Sequence, residues 1–407
     1  MIRLSNDGRV YVGSVDLYKA IRDLETPLYI YDLDEIERRY LYLKELGERL
    51  TKTVGVELVI LYALKANSNP DIITLLRDLG SGFDAASPGE ALWAKRLGVD
   101  PGRIYLTAPG LSKRDLEIAI REKININIDS MNQLKYLIEL GFSGEIGVRI
   151  NPGFGEGFHR YAVTGGEYSK FGVELSRVGE IIDLAKKSGI RIKRIHAHIG
   201  SGVMDPEKHV AVLKKLLEIS REYDETREID IGGGFGISYE TDDEYPFEKL
   251  FERIFEVLSS ESKKIERLFI EPGRYLVARS GLLVARVTDI KEFRDKTIIL
   301  VDTGFNHLIR PVLYGAKHRV VVLNKSSRER ISADIYGNLC ESSDYLARDI
   351  TLPRVEIGDT VVFLDAGAYG YSMASMYNLR PLPAEYVVKR GSIKKSRDSF
   401  LPTMPLA

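Results

Sequence analysis

The chain has 407 residues, 44% hydrophobic and 29% charged, with a net charge of −1. That length allows two domains with sizeable cores, and the near-neutral balance removes the electrostatic case for nucleic acid or an acidic membrane surface. Cys340 is the single cysteine, so no internal disulfide can form and a reducing cytoplasm is expected.

No apolar run approaches bilayer length, and the stretch from Met1 to Asp7 has no apolar signal core, so no membrane association is expected. Gln133 is the single glutamine, while Glu, Lys and Arg abound. That balance leans towards a thermophilic source.

In chain order, short apolar runs alternate with helical patterns from about residue 28 to 272. The runs are 28–31, 59–63, 82–85, 104–106, 124–128, 146–150, 195–199, 229–231 and 268–270. Between them, 70–79, 88–97, 112–122, 130–140, 176–188, 205–222 and 246–260 carry apolar residues at helical spacing. Asn69 before Pro70, Ser87 before Pro88 and Asp205 before Pro206 read as helix starts. Repeated strand–helix units over roughly 250 residues predict an α/β fold, a (β/α)8 TIM barrel. A doubly wound sheet is the competing arrangement.

After Arg274 the texture changes. The runs 281–287, 297–301, 319–323 and 360–364 are β-branched and parted by turns. An all-β domain, Greek-key or barrel-like, is expected there, with a strand at Val10–Val12 added from the N-terminus. The expected division is 27–275 for the barrel and 1–26 with 276–407 for the β domain. The basic tail from Lys389 to Phe400 reads as solvated surface.

Polar residues gather where the barrel strands stop, the mouth at which such barrels carry their chemistry. Lys65 follows the run 59–63. Partial desolvation there should lower its pKa and free a neutral amine to attack a carbonyl. Taken alone, a lysine in that place only marks where a strand meets water. Asp84, Arg149, His198, the turn Gly232-Gly233-Gly234, Glu271 and Arg274 occupy the equivalent ends. Asp84 also reads as a helix cap and Arg149 as a surface ion-pair residue. His196 and His198 share one strand face. A zinc pair finds no third ligand at useful spacing, so no metal is expected.

The glycine turn fits neither the dinucleotide nor the Walker pattern. Its bare N–H groups suit a single phosphate, with Gly200-Ser201-Gly202 as a second donor set. Glu271 closes the eighth strand, and a carboxylate facing a pyridine nitrogen keeps that ring an electron sink. A Schiff-base lysine, a phosphate loop and such an acid, in this order, point to pyridoxal phosphate.

These residues lie in YALKAN around Lys65, FDAAS with Asp84, RINPG after Arg149, SKFG from Ser169, HAHIGSG from His196, DIGGGFGI from Asp230 and EPGR from Glu271. Further stretches are VDTGFNHLIRPVLYGAKH from Val301, CESSD from Cys340 and DAGAYGYSMASMYNLRP from Asp365. On them the chain resembles the fold-type III pyridoxal-phosphate decarboxylases, most closely the diaminopimelate decarboxylases, over nearly its whole length.

The resemblance implies pyridoxal 5'-phosphate as cofactor, with Lys65 carrying the Schiff base, His198 stacked on the ring and Glu271 on the pyridine nitrogen. Ser201, Gly232, Gly233, Gly234, Arg274 and Tyr369 would serve the phosphate side. Asp84, Arg149, Pro272 and Gly273 complete the cofactor set. The resemblance also implies a homodimer with shared active sites, in which Cys340 is a proton donor supplied by the other subunit. Arg274, Arg310, Tyr314, Glu341 and Tyr369 would hold the distal amino and carboxylate groups of an amino-acid substrate. The chemistry agrees, since Arg grips a carboxylate bidentately and Glu accepts from an ammonium.

The implied reaction is decarboxylation of meso-2,6-diaminopimelate to L-lysine. The alternatives are a decarboxylase of ornithine, arginine or carboxynorspermidine type, an amino-acid racemase, and a silent cofactor carrier. Arg310 argues against the first. The pair Cys340-Glu341 argues against the second, and intact Lys65, Cys340 and Glu341 against the third.

Overall fold

The structure, a computed structural model, describes residues 2–5, 9–157, 164–166, 169–262, 264–294, 296–324 and 328–402. Eight parallel strands close into a barrel: Glu57–Ala63, Gly82–Ala85, Ile104–Thr107, Asn125–Ile128, Gly144–Asn151, Ile190–His196, Glu228–Asp230 and Arg267–Ile270. Each pairs with its neighbours in chain order, and the last returns to the first, Ile270 opposite Ile60. The barrel is therefore the expected one, and the doubly wound sheet is excluded.

Parallel neighbours need long crossovers, and helices supply them. The helix starts are where the sequence puts them. Asn69 accepts from the N–H groups of Asp71 and Ile72, Ser87 from Glu90 and Asp205 from Glu207. Each such cap is worth about 1 kcal/mol.

The N-terminal end of the barrel is plugged. Arg194 packs against the edge-to-face pair Tyr105 and Phe269, 4.2 Å from each centroid, and meets Glu228 at 2.6 Å. A buried guanidinium is tolerable there because two rings pack against it and a carboxylate accepts from it. The chemistry of such a barrel belongs to the opposite mouth.

One apolar run is not where the sequence reading put it. Residues 28–31 do not belong to the barrel series. The strand Leu28–Asp32 lies in the β sheet, antiparallel to Gly281–Glu292 and parallel to Ala384–Lys389. A helix absent from the expected set, Leu33–Val54, then carries the chain to the barrel. Asp32 caps its start and Gly55, at φ 71°, ends it.

The β unit is a mixed sheet built on Gly281–Glu292, whose inner half also pairs with Thr360–Phe363. Thr297–Val301 follows it antiparallel, then Arg330–Tyr336 parallel to that strand, and Tyr345–Pro353 at the edge. Val10–Val12 forms its own three-stranded sheet with Ile2–Leu4 and Val15–Asp16. Val10 and Val12 pack on Leu28, Ile30, Leu282 and Val284. The basic tail is not only solvated surface. Ser392–Arg397 hairpins back onto Ala384–Lys389, and Arg397 reaches the buried Glu385 at 2.7 Å.

Candidate active site

A cavity of about 460 Å³ opens at the C-terminal mouth of the barrel. It is lined by Lys65, Asp84, Arg149, His198, Ser201, Gly234, Glu271, Gly273 and Arg274 from the barrel side. Arg310, Tyr314 and Tyr369 come into it from the β unit. Most of the expected residues thus converge on one space.

Lys65 sits in the single turn Leu64–Ala66 that ends the first barrel strand. Its Nζ donates to Asp84 Oδ2 at 2.5 Å. Strand register brings the two together, since Ala63 pairs with Asp84. The helix at Pro88 is capped by Ser87, so Asp84 is free of that duty. Burial pushes the lysine pKa down, but Asp84 and then Glu271 push it up, and the net direction is up. The expected neutral amine is therefore overturned: beside Asp84 it is an ammonium.

His198 accepts the Gly233 N–H at Nδ1, 2.9 Å away. Burial, then the charges of Arg149 and Lys65, hold its pKa well below the usual value. The ring is neutral, with its proton on Nε2. Arg149 is buried, not a surface residue. It covers the Phe171 ring at 4.5 Å and faces Asp129 at 3.8 Å.

Glu271 ends the eighth strand and its N–H donates to the Gly232 carbonyl at 2.8 Å. Its carboxylate stands 3.4 Å from His196 Nε2 and 3.8 Å from His198 Nδ1. Burial raises its pKa, but His196 and Lys65 outweigh burial and hold it well below the carboxylate range. Asp230 approaches the same histidine, so His196, Asp230 and Glu271 gather ligand atoms within 4.8 Å of one another. The sequence reading found no third group near the two histidines; the fold brings two carboxylates. Asp230 also ties this cluster to the glycine turn, accepting the Gly232 N–H at 2.9 Å.

The turn itself admits no side chain. A Cβ on Gly233 would lie 2.1 Å from the Glu271 carbonyl oxygen, and one on Gly234, at φ +95°, 2.4 Å from that of Gly200. His209 supports the turn from below, its Nε2–H donating to the Gly233 carbonyl at 2.9 Å while Tyr245 donates to Nδ1. Arg274 donates to Ser201 Oγ at 2.8 Å and to the Tyr239 hydroxyl at 2.6 Å, and lies 4.9 Å from the Tyr369 ring centre. Tyr369 has φ +58°, a costly backbone state for an aromatic residue. The Tyr369 N–H donates to the Ala66 carbonyl at 2.8 Å.

Cys340 and Glu341 are not in this cavity. Cys340 is exposed, and Glu341 accepts from its neighbour Ser343. Pro272, Gly232 and Gly233 do not line the cavity either; the Pro272 carbonyl accepts from the Ala63 N–H. Tyr239 and His209 were missed because no local pattern marks them, whereas His318 ends the stretch from Val301 and was given no role. Asp230 stood beside the glycine turn and offered the one signal that could have been used.

The residues fit pyridoxal 5'-phosphate. Glu271 Oε1 is buried, with His196 Nε2 3.4 Å away and no full hydrogen bond, so it can accept from a proton-bearing nitrogen. The glycine turn leaves bare backbone beside Arg274 and Ser201, where a phosphate would sit. Barrel, lysine, acid and turn together define a pyridoxal-phosphate-dependent enzyme with a barrel and a β domain.

The comparisons sharpen that class. Residues 34–278 match the family model "Pyridoxal-dependent decarboxylase, pyridoxal binding domain". The diaminopimelate decarboxylase of Methanothermobacter thermautotrophicus is 37% identical, over 98% of this chain and 95% of that one. That of Aquifex aeolicus is 34% identical, over 96% and 93%. The crystal structure of the M. jannaschii enzyme in complex with L-lysine is 31% identical with a TM-score of 0.90, over 98% and 95%. The chain belongs to the diaminopimelate decarboxylases.

Proposed function

We propose that this chain decarboxylates meso-2,6-diaminopimelate to L-lysine and carbon dioxide, with pyridoxal 5'-phosphate as cofactor. The observation that carries the substrate is Arg310, 1% exposed and yet lining the cavity that holds Lys65. A buried guanidinium facing a site is suited to a second carboxylate, which the simple diamino acids lack. When bound, the cofactor supplies an electron sink for the pair left behind by carbon dioxide.

The chain's own groups do the rest. Lys65 would hold the cofactor through Nζ, and Asp84, 2.5 Å away, would hold the proton of that nitrogen. Glu271 would hold a proton at the pyridine nitrogen, and His198, a neutral imidazole, would lie against the ring. Arg149 and Gly273 line the floor, and the Pro272 carbonyl accepts from Ala63. Ser201, Arg274, Tyr369 and Gly232 to Gly234 orient the phosphate. Arg310, Tyr314, Arg274 and Tyr369 hold the distal end of the substrate, joined by the partner subunit's Glu341.

Cys340 delivers the proton that replaces carbon dioxide, from the partner of a homodimer. Its absence from the cavity lining of its own chain supports that reading. No helix of the described residues is long and apolar enough to cross a membrane, which agrees with a cytoplasmic enzyme. The limits of the family match, 34 and 278, support a barrel domain that begins with the helix at Leu33, with the flanks forming the β domain. The test is product identification from meso-diaminopimelate with and without added cofactor. Lysine and carbon dioxide are expected only with it; release from ornithine or arginine instead would overturn the substrate.

A further inference from the structure

One buried histidine beside the cavity has no part in that scheme. His318 is 5% exposed and offers its two ring nitrogens to partners of opposite kind. Nδ1 lies 2.9 Å from the Leu364 carbonyl oxygen, which can only accept. Nε2 lies 3.0 Å from Arg310 Nη1, which can only donate. The proton therefore sits on Nδ1, and Nε2 is a bare acceptor. An imidazolium would set two donors against each other. Burial, then the charge of Arg310, pushes the His318 pKa down to about 3, so the neutral tautomer persists.

Arg310 is held on a second side. Tyr239 lies under its guanidinium, 4.3 Å from ring centre to Cζ. The same ring meets His318 edge-on at 5.3 Å, and its hydroxyl takes the Arg274 donor already described. Arg310 opens the short helix Arg310–Tyr314, and His318 follows that helix after the turn at Gly315, φ 62°. Local chain geometry thus delivers the acceptor to the side chain it serves.

We propose that His318 is a positioning residue that fixes the Arg310 guanidinium as the reader of the substrate's distal carboxylate. The proposal rests on the functional reading above and deepens it. An Arg side chain has many rotamers, and a bidentate grip needs one. The ring beneath restricts the tilt of the guanidinium, and the acceptor at one edge restricts its rotation.

The test uses the full-length holoenzyme with His318→Leu and His318→Gln. Leucine removes the acceptor, whereas the glutamine amide oxygen can replace Nε2. Two probes read the effect by direct binding. L-Lysine retains the carboxylate of the distal centre, and cadaverine is the same chain without it. In His318→Leu the preference for lysine over cadaverine should fall roughly tenfold or more, the loss expected for a hydrogen bond to a charged group. The KM for diaminopimelate should rise by a similar factor while kcat stays within about threefold. His318→Gln should restore most of the preference. Cofactor content and thermal stability show that both variants are folded.

An unchanged preference in folded His318→Leu would overturn the proposal. So would a folded His318→Gln no better than the leucine variant, or a loss confined to kcat. If the wild-type enzyme releases no carbon dioxide from diaminopimelate, the functional reading fails, and the lysine–cadaverine pair still judges His318.

Discussion

Lys65 and Cys340 belong to different units of the chain, and only Lys65 lines the cavity. Two inactive variants can decide whether the missing thiol comes from a second copy. Lys65→Ala removes the anchoring amine, and Cys340→Ala removes the proton donor. Each alone should be close to dead. In a dimer with shared sites, a mixed pair puts both defects into one site and leaves the other intact. Random reassortment makes about half the dimers mixed, each with one good site of two, so about a quarter of wild-type activity should return. The assay is carbon dioxide release after the two tagged variants are unfolded together, refolded and purified by both tags in sequence. The doubly tagged fraction should then show about half of wild-type activity per dimer, by the same symmetry argument. No activity in that fraction would refute both the shared site and the role of Cys340, because a site built within one chain keeps one defect in every copy.

Three further outcomes follow from the geometry. Glu271→Gln should retain the cofactor but lose roughly 10²-fold or more in turnover, as when a preorganised charge is removed; near-normal turnover would refute its role at the ring nitrogen. Gly234→Ala should weaken cofactor binding, measured by titrating the apo form, since its Cβ meets the Gly200 carbonyl at 2.4 Å and the positive φ alone costs about 1–3 kcal/mol. Asp230 has its carboxyl pushed up to about 7 by burial and by Glu271. A carboxyl raised on folding stabilises less as pH climbs from its ordinary range through that value. Asp230→Asn lacks this loss and still accepts from Gly232. Its melting temperature relative to wild type should therefore rise from pH 5 to pH 8, and a flat or falling difference would contradict the assignment.

Much of the site was legible because a barrel puts its chemistry at strand ends, and strand ends can be read from where apolar runs stop. Lys65, Asp84, Arg149, His198, Glu271 and Arg274 were all found that way and all line one cavity. The helix starts at Asn69, Ser87 and Asp205 were legible because capping is local chemistry. The strand Leu28–Asp32 was not. A strand buried on both faces reads the same in a barrel as in the middle of a sheet, and its partners lie some 250 and 350 residues away. The sign of the Lys65 shift was missed for a related reason. Desolvation can be read from one strand, but the carboxylate that reverses it arrives on the next one. Tyr239 acts across the two units, through its contacts with Arg310 and His318, and no local pattern records such contacts. His318 stood in the motif from Val301, but nothing in the motif shows that its ring meets Arg310.

The stitching between those units has a consequence for how the protein is made. The lysine turn is held by the chain's far end: Asn67 donates to the Gly367 carbonyl at 2.9 Å, and Tyr369 to that of Ala66. The strand Leu28–Asp32 likewise waits for Ala384–Lys389 to flank it. A ribosome delivers the first residues long before the last, and domains generally fold as they emerge. Here the barrel can close early, but the floor around Lys65 is completed only when nearly the whole chain is free. The nascent chain therefore carries its reactive amine for most of synthesis without the cradle that directs it. Competence to hold the cofactor is a property of the finished polypeptide, and a chain released short of residue 370 should lack it even with an intact barrel.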